Sequence, residues 1–290
     1  MGNLFFEFLL GKKNKMNEAL ALKKLKGVKP KGVKIKEDST KLGDLINLCD
    51  EFWSSELSYY SNTPAIFYDD SYIEYHEQKA LNLISDIDFS ESDLESFVYV
   101  KAGYQEENYK RYLGMFTGNL LTALTSKNKL INKRTAIYLT GNYEFPYLFS
   151  GAYEVDILVV NDFLGEYVCA NMAGNLNMLL CLNLPGEGSF FQNSPKNLTH
   201  SFIGGYNIET SGLLDSLPKN RICCTIGENI EGRSVIRIPY FEGSMDKKLA
   251  FIKNCTDLIK SIPDKTYDEV IKTAFELEDL YKSTLPDFFR

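Results

Sequence analysis

The apolar residues of the first hundred or so positions recur every three or four residues, which is the spacing of one face of a helix. This spacing predicts helices over residues 14–26, 40–59 and 73–85, while residues 97–100 resemble a short strand. Residues 106–127 carry a longer apolar stripe that is preceded by acidic residues, as suits the start of a helix. We therefore expect a mainly helical N-terminal region.

After Arg134 the pattern changes to short runs rich in β-branched and apolar residues. The predicted strands are 136–139, 155–160, 167–172, 178–184, 221–226 and 235–241. Turn signals such as Asn161-Asp162 and Gly174-Asn175 separate several of them and indicate antiparallel neighbours. Two helices, 246–262 and 265–283, close the chain, the second opening with Thr266-x-x-Glu269 and stopped by Pro286. No repeat with a period between about 20 and 50 residues is visible.

These elements predict an α+β protein. Residues 1–103 form a mainly helical, charge-segregated N-terminal region. Residues 104–290 form a core domain in which a central, mainly antiparallel β-sheet is packed against a C-terminal pair of helices.

The net charge of -7 hides a strong segregation along the chain. Residues 1–36 hold ten Lys against two Glu, which gives +8, and residues 37–107 hold seventeen Asp or Glu against three Lys, which gives -14. One interpretation is an acidic face that binds a basic partner, with Asp69, Asp70, Glu74 and Glu77 as its binding residues. The other is that both regions are solvated faces that pair with each other or with a second copy. The acidic pI of about 5.1 argues against direct nucleic-acid binding.

The cellular compartment is predicted from the targeting and membrane-spanning segments that are not visible in the sequence. No stretch approaches the roughly 18 apolar residues that span a bilayer, and the N-terminus does not have the pattern of a secretory signal. None of the six cysteines forms a C-x-x-C pair, so we interpret them as reduced core thiols. We expect a cytoplasmic protein.

Several catalytic classes are excluded because the sequence lacks the motifs that they require. The chain has no G-x-x-x-x-G-K-[ST] phosphate loop, no G-x-G-x-x-G and no G-x-S-x-G. Its two histidines, His76 and His200, lie far apart and have no nearby ligand pattern for zinc.

The strongest candidate for chemistry is the acidic strand that begins at Glu154. Because side chains alternate along a strand, Glu154 and Asp156 share one face, about 7 Å apart from a rise of roughly 3.3 Å per residue. Two such carboxylates could hold Mg²⁺ or Mn²⁺ and so activate a water near a phosphate, with Asp162 or Glu166 as a third acid. The alternative is an antiparallel hairpin with a solvated polar face.

Two partial resemblances accompany this strand. The helix 106–127 followed by the acidic strand resembles the restriction-endonuclease-like nuclease core, whose next strand bears E-x-K; here that place reads Asn171-Met172-Ala173. The strand is also similar to the acid-x-acid strand of nucleotidyltransferases, although Gly141-Asn142 stands where those enzymes have Gly-Ser. Each resemblance covers less than a quarter of the chain and implies a metal-dependent reaction on a phosphodiester or nucleotide.

The charge segregation and the 18 Tyr and 19 Phe favour recognition over catalysis, because aromatic side chains make good interface anchors. We predict a non-catalytic, oligomeric, protein-binding or inhibitory protein that has no cofactor and acts on a basic or nucleic-acid-handling partner. The alternative is a metal-dependent phosphodiesterase, nuclease or nucleotidyltransferase-like enzyme that uses Glu154 and Asp156 with Mg²⁺ or Mn²⁺.

Overall fold

Three helices and one shorter helical segment are described before the sheet. The computed structural model describes residues 41–60, 78–103, 107–170, 172, 174–184, 201–208, 223–229, 234–237 and 244–288. The three helices are α1 (Leu42–Tyr60), α2 (Glu91–Lys101) and α3 (Glu107–Leu130), and residues 78–84 are also helical. The helices predicted over 40–59 and 106–127 are confirmed. The helix predicted over 14–26 lies outside the described residues.

The strand predicted at residues 97–100 is wrong, because these residues belong to α2. A capping box starts this helix: Ser90 Oγ accepts a hydrogen bond from the Asp93 N–H, and the Asp93 carboxylate accepts one from the Ser90 N–H. This capping box pairs backbone N–H groups at the start of the helix and so favours a helical conformation for the residues that follow. Phe97 and Val98 are then fully buried and Tyr99 and Val100 partly buried, as side chains of a helix instead of a strand.

Six described strands form one sheet in chain order. They are β1 (Ala136–Glu144), β2 (Glu154–Leu164), β3 (Asn175–Leu182), β4 (Ser201–Ile208), β5 (Cys223–Asn229) and β6 (Ser234–Arg237). Strands β1 to β5 are parallel, and β6 is antiparallel to β5. The prediction of a mainly antiparallel α+β sheet is therefore wrong, and the fold is of the α/β class.

The register of the first three strands repeats every 21 residues. Ala136 lies opposite Ile157, and Ile157 lies opposite Met178. The later steps are similar, since Met178 pairs with Phe202 and Phe202 with Cys224. Strands β1 and β2 with their described return segments therefore form successive turns of a stack, as in solenoid proteins, although the sequence shows no visible repeat.

The described return segments explain why β1, β2 and β3 are parallel without a helix between them. Residues 145–153 and 165–170 carry the chain back across the sheet as consecutive turns that hydrogen-bond to each other, for example from Tyr147 N to Glu166 O at 2.8 Å. The strand predicted over 167–172 is wrong, because its residues 167–170 form one of these turns. Tyr147 and Tyr167 both have a positive φ, 61° and 58°, and their rings stack at 5.1 Å between centroids.

Helix α3 packs directly on these turns because two glycines let it approach. A Cβ built on Gly114 would lie 2.3 Å from Tyr147 O, and one on Gly118 would lie 2.2 Å from Ser150 O. Thr117 Oγ1 accepts from the Phe149 N–H at 3.0 Å within the same contact. Close backbone contacts at the two glycines and the hydrogen bond to Thr117 thus hold α3 against the turns.

Both faces of the sheet are buried. One face and the return segments pack against α1, α2 and α3 in a single cluster, which contains residues from both sides of the boundary placed at residue 103. The other face packs against α4 (Met245–Lys260) and α5 (Tyr267–Phe288), which are joined by a short 3₁₀ turn. This pair of C-terminal helices on the sheet confirms the prediction, although α5 continues through Pro286.

Two smaller expectations can be compared with the fold. Cys49, Cys169, Cys181 and Cys255 are buried free thiols, as predicted for the described cysteines. Among the described helices, none combines the length and the apolar character that crossing a bilayer requires.

Candidate functional site

The two candidate carboxylates lie in an open cleft at the amino ends of β1, β2 and β3. We name it the amino-end cleft. Its volume is 510 Å³, and the C-terminal turn of α3 forms one wall. Its polar lining includes Lys129, Lys133, Arg134, Glu154, Asp156, Asn175 and Asn177. The structure therefore places Glu154 and Asp156 in one concave site, on the same face of β2.

The 21-residue register explains how the polar groups come together. The register places Glu154 of β2 opposite Asn175 of β3, and the same step aligns Asp156 with Asn177. Because the strands are parallel, these side chains lie together at the amino ends of the strands. The floor of the cleft is thus built by β2 and β3, and the turn that ends α3 adds Lys129 and Lys133.

Asp156 is held by four hydrogen bonds. Arg134 donates from Nε to Oδ2 and from Nη2 to Oδ1, both at 2.6 Å, in a bidentate pair. The Thr135 N–H donates at 3.0 Å and Asn177 Nδ2 at 3.1 Å. Burial alone would raise the pKa of Asp156, but the Arg134 and Thr135 hydrogen bonds outweigh it and hold the pKa below its usual value.

A third carboxylate, Glu278 of α5, reaches the same arginine. Its side chain is only 2% exposed, and it accepts from Arg134 Nη2 at 3.0 and 2.9 Å and from Asn177 Nδ2 at 2.8 Å. Lys282 donates to it as well. Burial again opposes ionisation, but these donors keep the pKa of Glu278 below its usual value.

Arg134 therefore joins β2 to α5. Its guanidinium lies between Asp156 and Glu278, and it also lies 5.1 Å from the centre of the Phe275 ring. The hydrogen bond to Asp156 is the main reason that the pKa of Arg134 rises further above its usual value. The arginine carries a positive charge at all relevant pH values.

Glu154 is engaged separately. Lys129 Nζ lies 3.3 Å from its carboxylate, and Asn175 Nδ2 donates to the other carboxylate oxygen. The suggested third acids, Asp162 and Glu166, do not line the amino-end cleft. Asp162 lies near the opposite end of β2, where partial burial raises its pKa. In the part of the chain that the structure describes, no three His, Cys, Asp or Glu side chains form a group that could hold a metal ion.

The acidic binding residues Asp69, Asp70, Glu74 and Glu77 lie outside the described residues, as do His76 and His200. Other acids of the same region are described, and several pair with lysines. Asp50 pairs with the buried Lys101 at 3.0 Å, Asp88 pairs with Lys127, and Glu91 pairs with Lys133 at 2.9 Å. These pairs reduce the negative charge that the described part of this region presents.

Arg134, Asn177 and Glu278 were not predicted as site residues. Glu278 lies 144 residues from Arg134 in the sequence, and only the packing of α5 brings them together. Arg134 lies two residues before Ala136, the first residue of β1, so a parallel pairing of the strands would have placed it near Asp156. Comparisons with family models, curated proteins and solved structures find no match for this chain.

Proposed function

We propose that this protein is a non-catalytic binding protein that engages a basic or nucleic-acid-handling protein partner through the acidic part of its N-terminal region. The observation that carries the proposal is the position of Arg134. Its Nη2 lies 2.6 Å from Asp156 and 2.9 Å from Glu278, so Asp156, one of the two candidate metal ligands, is already paired with a side-chain cation. In this arrangement, Asp156 anchors Arg134.

The stacked architecture also supports a binding role. Solenoid-like stacks repeat equivalent positions at a regular spacing, and proteins of this kind use such surfaces to bind extended partners. On this chain, Glu154 and Asn175 occupy equivalent positions of β2 and β3, and so do Asp156 and Asn177. The alternative, a metal-dependent enzyme acting on phosphodiesters or nucleotides, would use Glu154 and Asp156 of the same cleft as ligands for Mg²⁺ or Mn²⁺.

Asp156→Asn separates the two functions. If Asp156 anchors Arg134, the variant unfolds at a lower urea concentration, and calorimetric titration with Mn²⁺ shows the same weak response in variant and wild type. If Asp156 is a metal ligand, the wild type binds Mn²⁺ and the variant loses both that binding and any Mn²⁺-dependent phosphodiesterase activity, while its stability is kept. That second result would contradict the proposed function.

The partner surface needs a test of its own. The partner is first identified by crosslinking in native cells and then purified. It should associate more slowly, and with a flatter salt dependence, with a variant in which Asp69, Asp70, Glu74 and Glu77 are reversed to Lys. A matched control reverses four exposed acids of α4 and α5, namely Asp246, Asp268, Glu276 and Asp279. Equal effects of the two sets would show that net charge alone matters and would contradict the proposed surface.

A further inference from the structure

The turn that ends α3 holds two apolar side chains in the solvent beside the amino-end cleft. Leu130 is 85% exposed and Ile131 is 67% exposed. Asn132 follows them with φ 54°, and Lys133 N donates to Asn128 O at 2.8 Å while Asn132 N donates to Lys129 O at 3.1 Å. This is the Schellman pattern, which closes a helix with a fixed backbone geometry.

The exposure of the apolar pair is therefore built into the backbone. The exposed pair lies between Lys129 and Asn132, both of which line the amino-end cleft. Tyr153, which is half exposed, comes directly before Glu154 of the same cleft. Single exposed apolar residues are ordinary, but a group of them around a polar depression is typical of an interaction site.

The charges around the cleft are layered. The lysine and arginine side chains are the outer groups, with Lys129, Lys133 and Arg134 exposed by 66%, 50% and 44%. Their carboxylate partners lie beneath them, since Glu154 and Asp156 are each 16% exposed. An approaching molecule meets the cations first, and exposed ion pairs such as Lys129 with Glu154 cost little to rearrange.

We propose that the amino-end cleft and the Leu130–Ile131 turn form a docking site for an acidic peptide segment with apolar side chains, presented by a partner protein. Its carboxylates would pair with Lys129 and Lys133, and its apolar side chains would cover Leu130 and Ile131. This surface is additional to the acidic one of the proposed function and uses different residues, so either can fail alone.

The floor of the cleft favours a peptide over a nucleic acid. Glu154 and the amide oxygens of Asn175 and Asn177 are acceptors, and a peptide backbone supplies N–H donors to such groups. A phosphodiester backbone supplies no such donors and would leave these acceptors unpaired.

The test is selection of random peptides displayed on phage against the purified full chain, followed by fluorescence anisotropy with the selected peptides. We expect a consensus that combines Asp or Glu with Leu, Phe or Tyr. Lys129→Glu with Lys133→Glu, and Leu130→Ser with Ile131→Ser, should each weaken binding by about tenfold or more. Lys253→Glu and Leu249→Ser are the matched controls, because both residues are exposed on α4, and they should leave the affinity unchanged.

Circular dichroism melting establishes that each variant is folded. If a cleft variant does not fold, the salt dependence of wild-type binding decides, because docking on lysines must weaken as salt rises. A basic consensus, no reproducible consensus, or binding that the cleft variants do not change would overturn the proposal. It would also be overturned by a single-stranded oligonucleotide that competes as well as the peptide, or by a dimer in sedimentation that Leu130→Ser with Ile131→Ser abolishes.

Discussion

The hydroxyl group of Tyr99 both donates to the carbonyl oxygen of Thr140 and accepts from the Thr140 N–H, each at 3.1 Å. Thr140 lies on β1, the first strand of the sheet, and these two backbone groups point away from β2. One helical turn earlier, Glu95 accepts from the backbone N–H of Tyr138. Glu95 and Tyr99, four residues apart on α2, thus cap Tyr138 and Thr140, two residues apart on β1. These caps protect the edge of the described sheet, which could otherwise pair with another chain.

Tyr99→Phe should destabilise the protein by about 1–3 kcal/mol, because two partly buried backbone groups of Thr140 lose their partner while the ring packing is kept. Urea unfolding followed by circular dichroism measures this loss. Tyr153→Phe is the control, because its ring is half exposed, and it should change the free energy of unfolding little. Equal losses in the two variants would mean that the Tyr99 hydroxyl does not cap the edge.

The helical content could be predicted because helix periodicity and caps are local. The spacing over 40–59 and 106–127 and the box at Thr266 and Glu269 each depend on neighbours within four residues. In the structure, Glu269 does accept from the Thr266 N–H at 2.9 Å. These elements required no knowledge of the tertiary fold.

The direction of the strands could not be predicted in the same way. Asn161-Asp162 and Gly174-Asn175 suggested hairpin turns, but Asp162 lies within β2 with φ 57°, and Gly174 closes a return segment. Those segments depend on non-glycine residues such as Tyr147 and Cys169 at positive φ. The identity of these residues does not predict a positive φ, since only the surrounding structure holds a tyrosine or cysteine in the left-handed region.

Only the part of the candidate site that depends on local sequence could be predicted. Alternation along a strand placed Glu154 and Asp156 on one face, and the structure brings both into the amino-end cleft. What Asp156 does there depends on Arg134 and Glu278, which the chain brings near only through parallel pairing and the packing of α5. The local pattern therefore located the carboxylates without revealing their partners.

Glu95 should make the stability of the protein depend on pH near neutrality. Its side chain is buried, which raises its pKa to about 7, and the hydrogen bond from Tyr267 OH at 2.5 Å only partly offsets the burial. Because the pKa in the folded state is above the unfolded value of 4.5, this contribution is fully present below pH 4.5 and is lost as the pH rises through 7. The loss should reach up to about 3 kcal/mol.

Glu95→Gln removes this ionisation, so the variant should be as stable as the wild type at low pH and more stable on the alkaline side of neutrality. Neighbouring groups that face Glu95 are Tyr267, Tyr138 and Glu91, and they stay in place. Urea unfolding across this pH range measures the difference. Glu276→Gln, at an exposed position on α5, is the control and should leave the pH profile unchanged. A parallel shift of the Glu95→Gln profile at every pH would contradict the prediction.

Arg134→Met should cost about 2–3 kcal/mol, because it leaves the partly buried carboxylate of Asp156 and the buried carboxylate of Glu278 without their shared cation. Adding Glu278→Gln to this variant should recover part of the loss, since one uncompensated charge is then removed. A double-mutant cycle in urea measures the coupling between Arg134 and Glu278. Additive losses would show that the two side chains act independently, and Lys272→Met on the exposed face of α5 provides a neutral control.

Gly118→Ala tests how closely α3 approaches the return segments. The added Cβ would lie 2.2 Å from the carbonyl oxygen of Ser150, so the helix must move away from the turns and strain the caps at Thr117 and Thr122. We expect a loss of about 3 kcal/mol, in the range of overpacked cores. Gly43→Ala is the matched control, because nothing lies within 4 Å of its Cβ position on α1, and a glycine removed from a helix stabilises it by about 0.5 kcal/mol. Opposite signs for the two substitutions in urea unfolding would establish that the contact between helix and turns requires glycine, whereas stabilisation by both would show that α3 can move away from the stack at little cost.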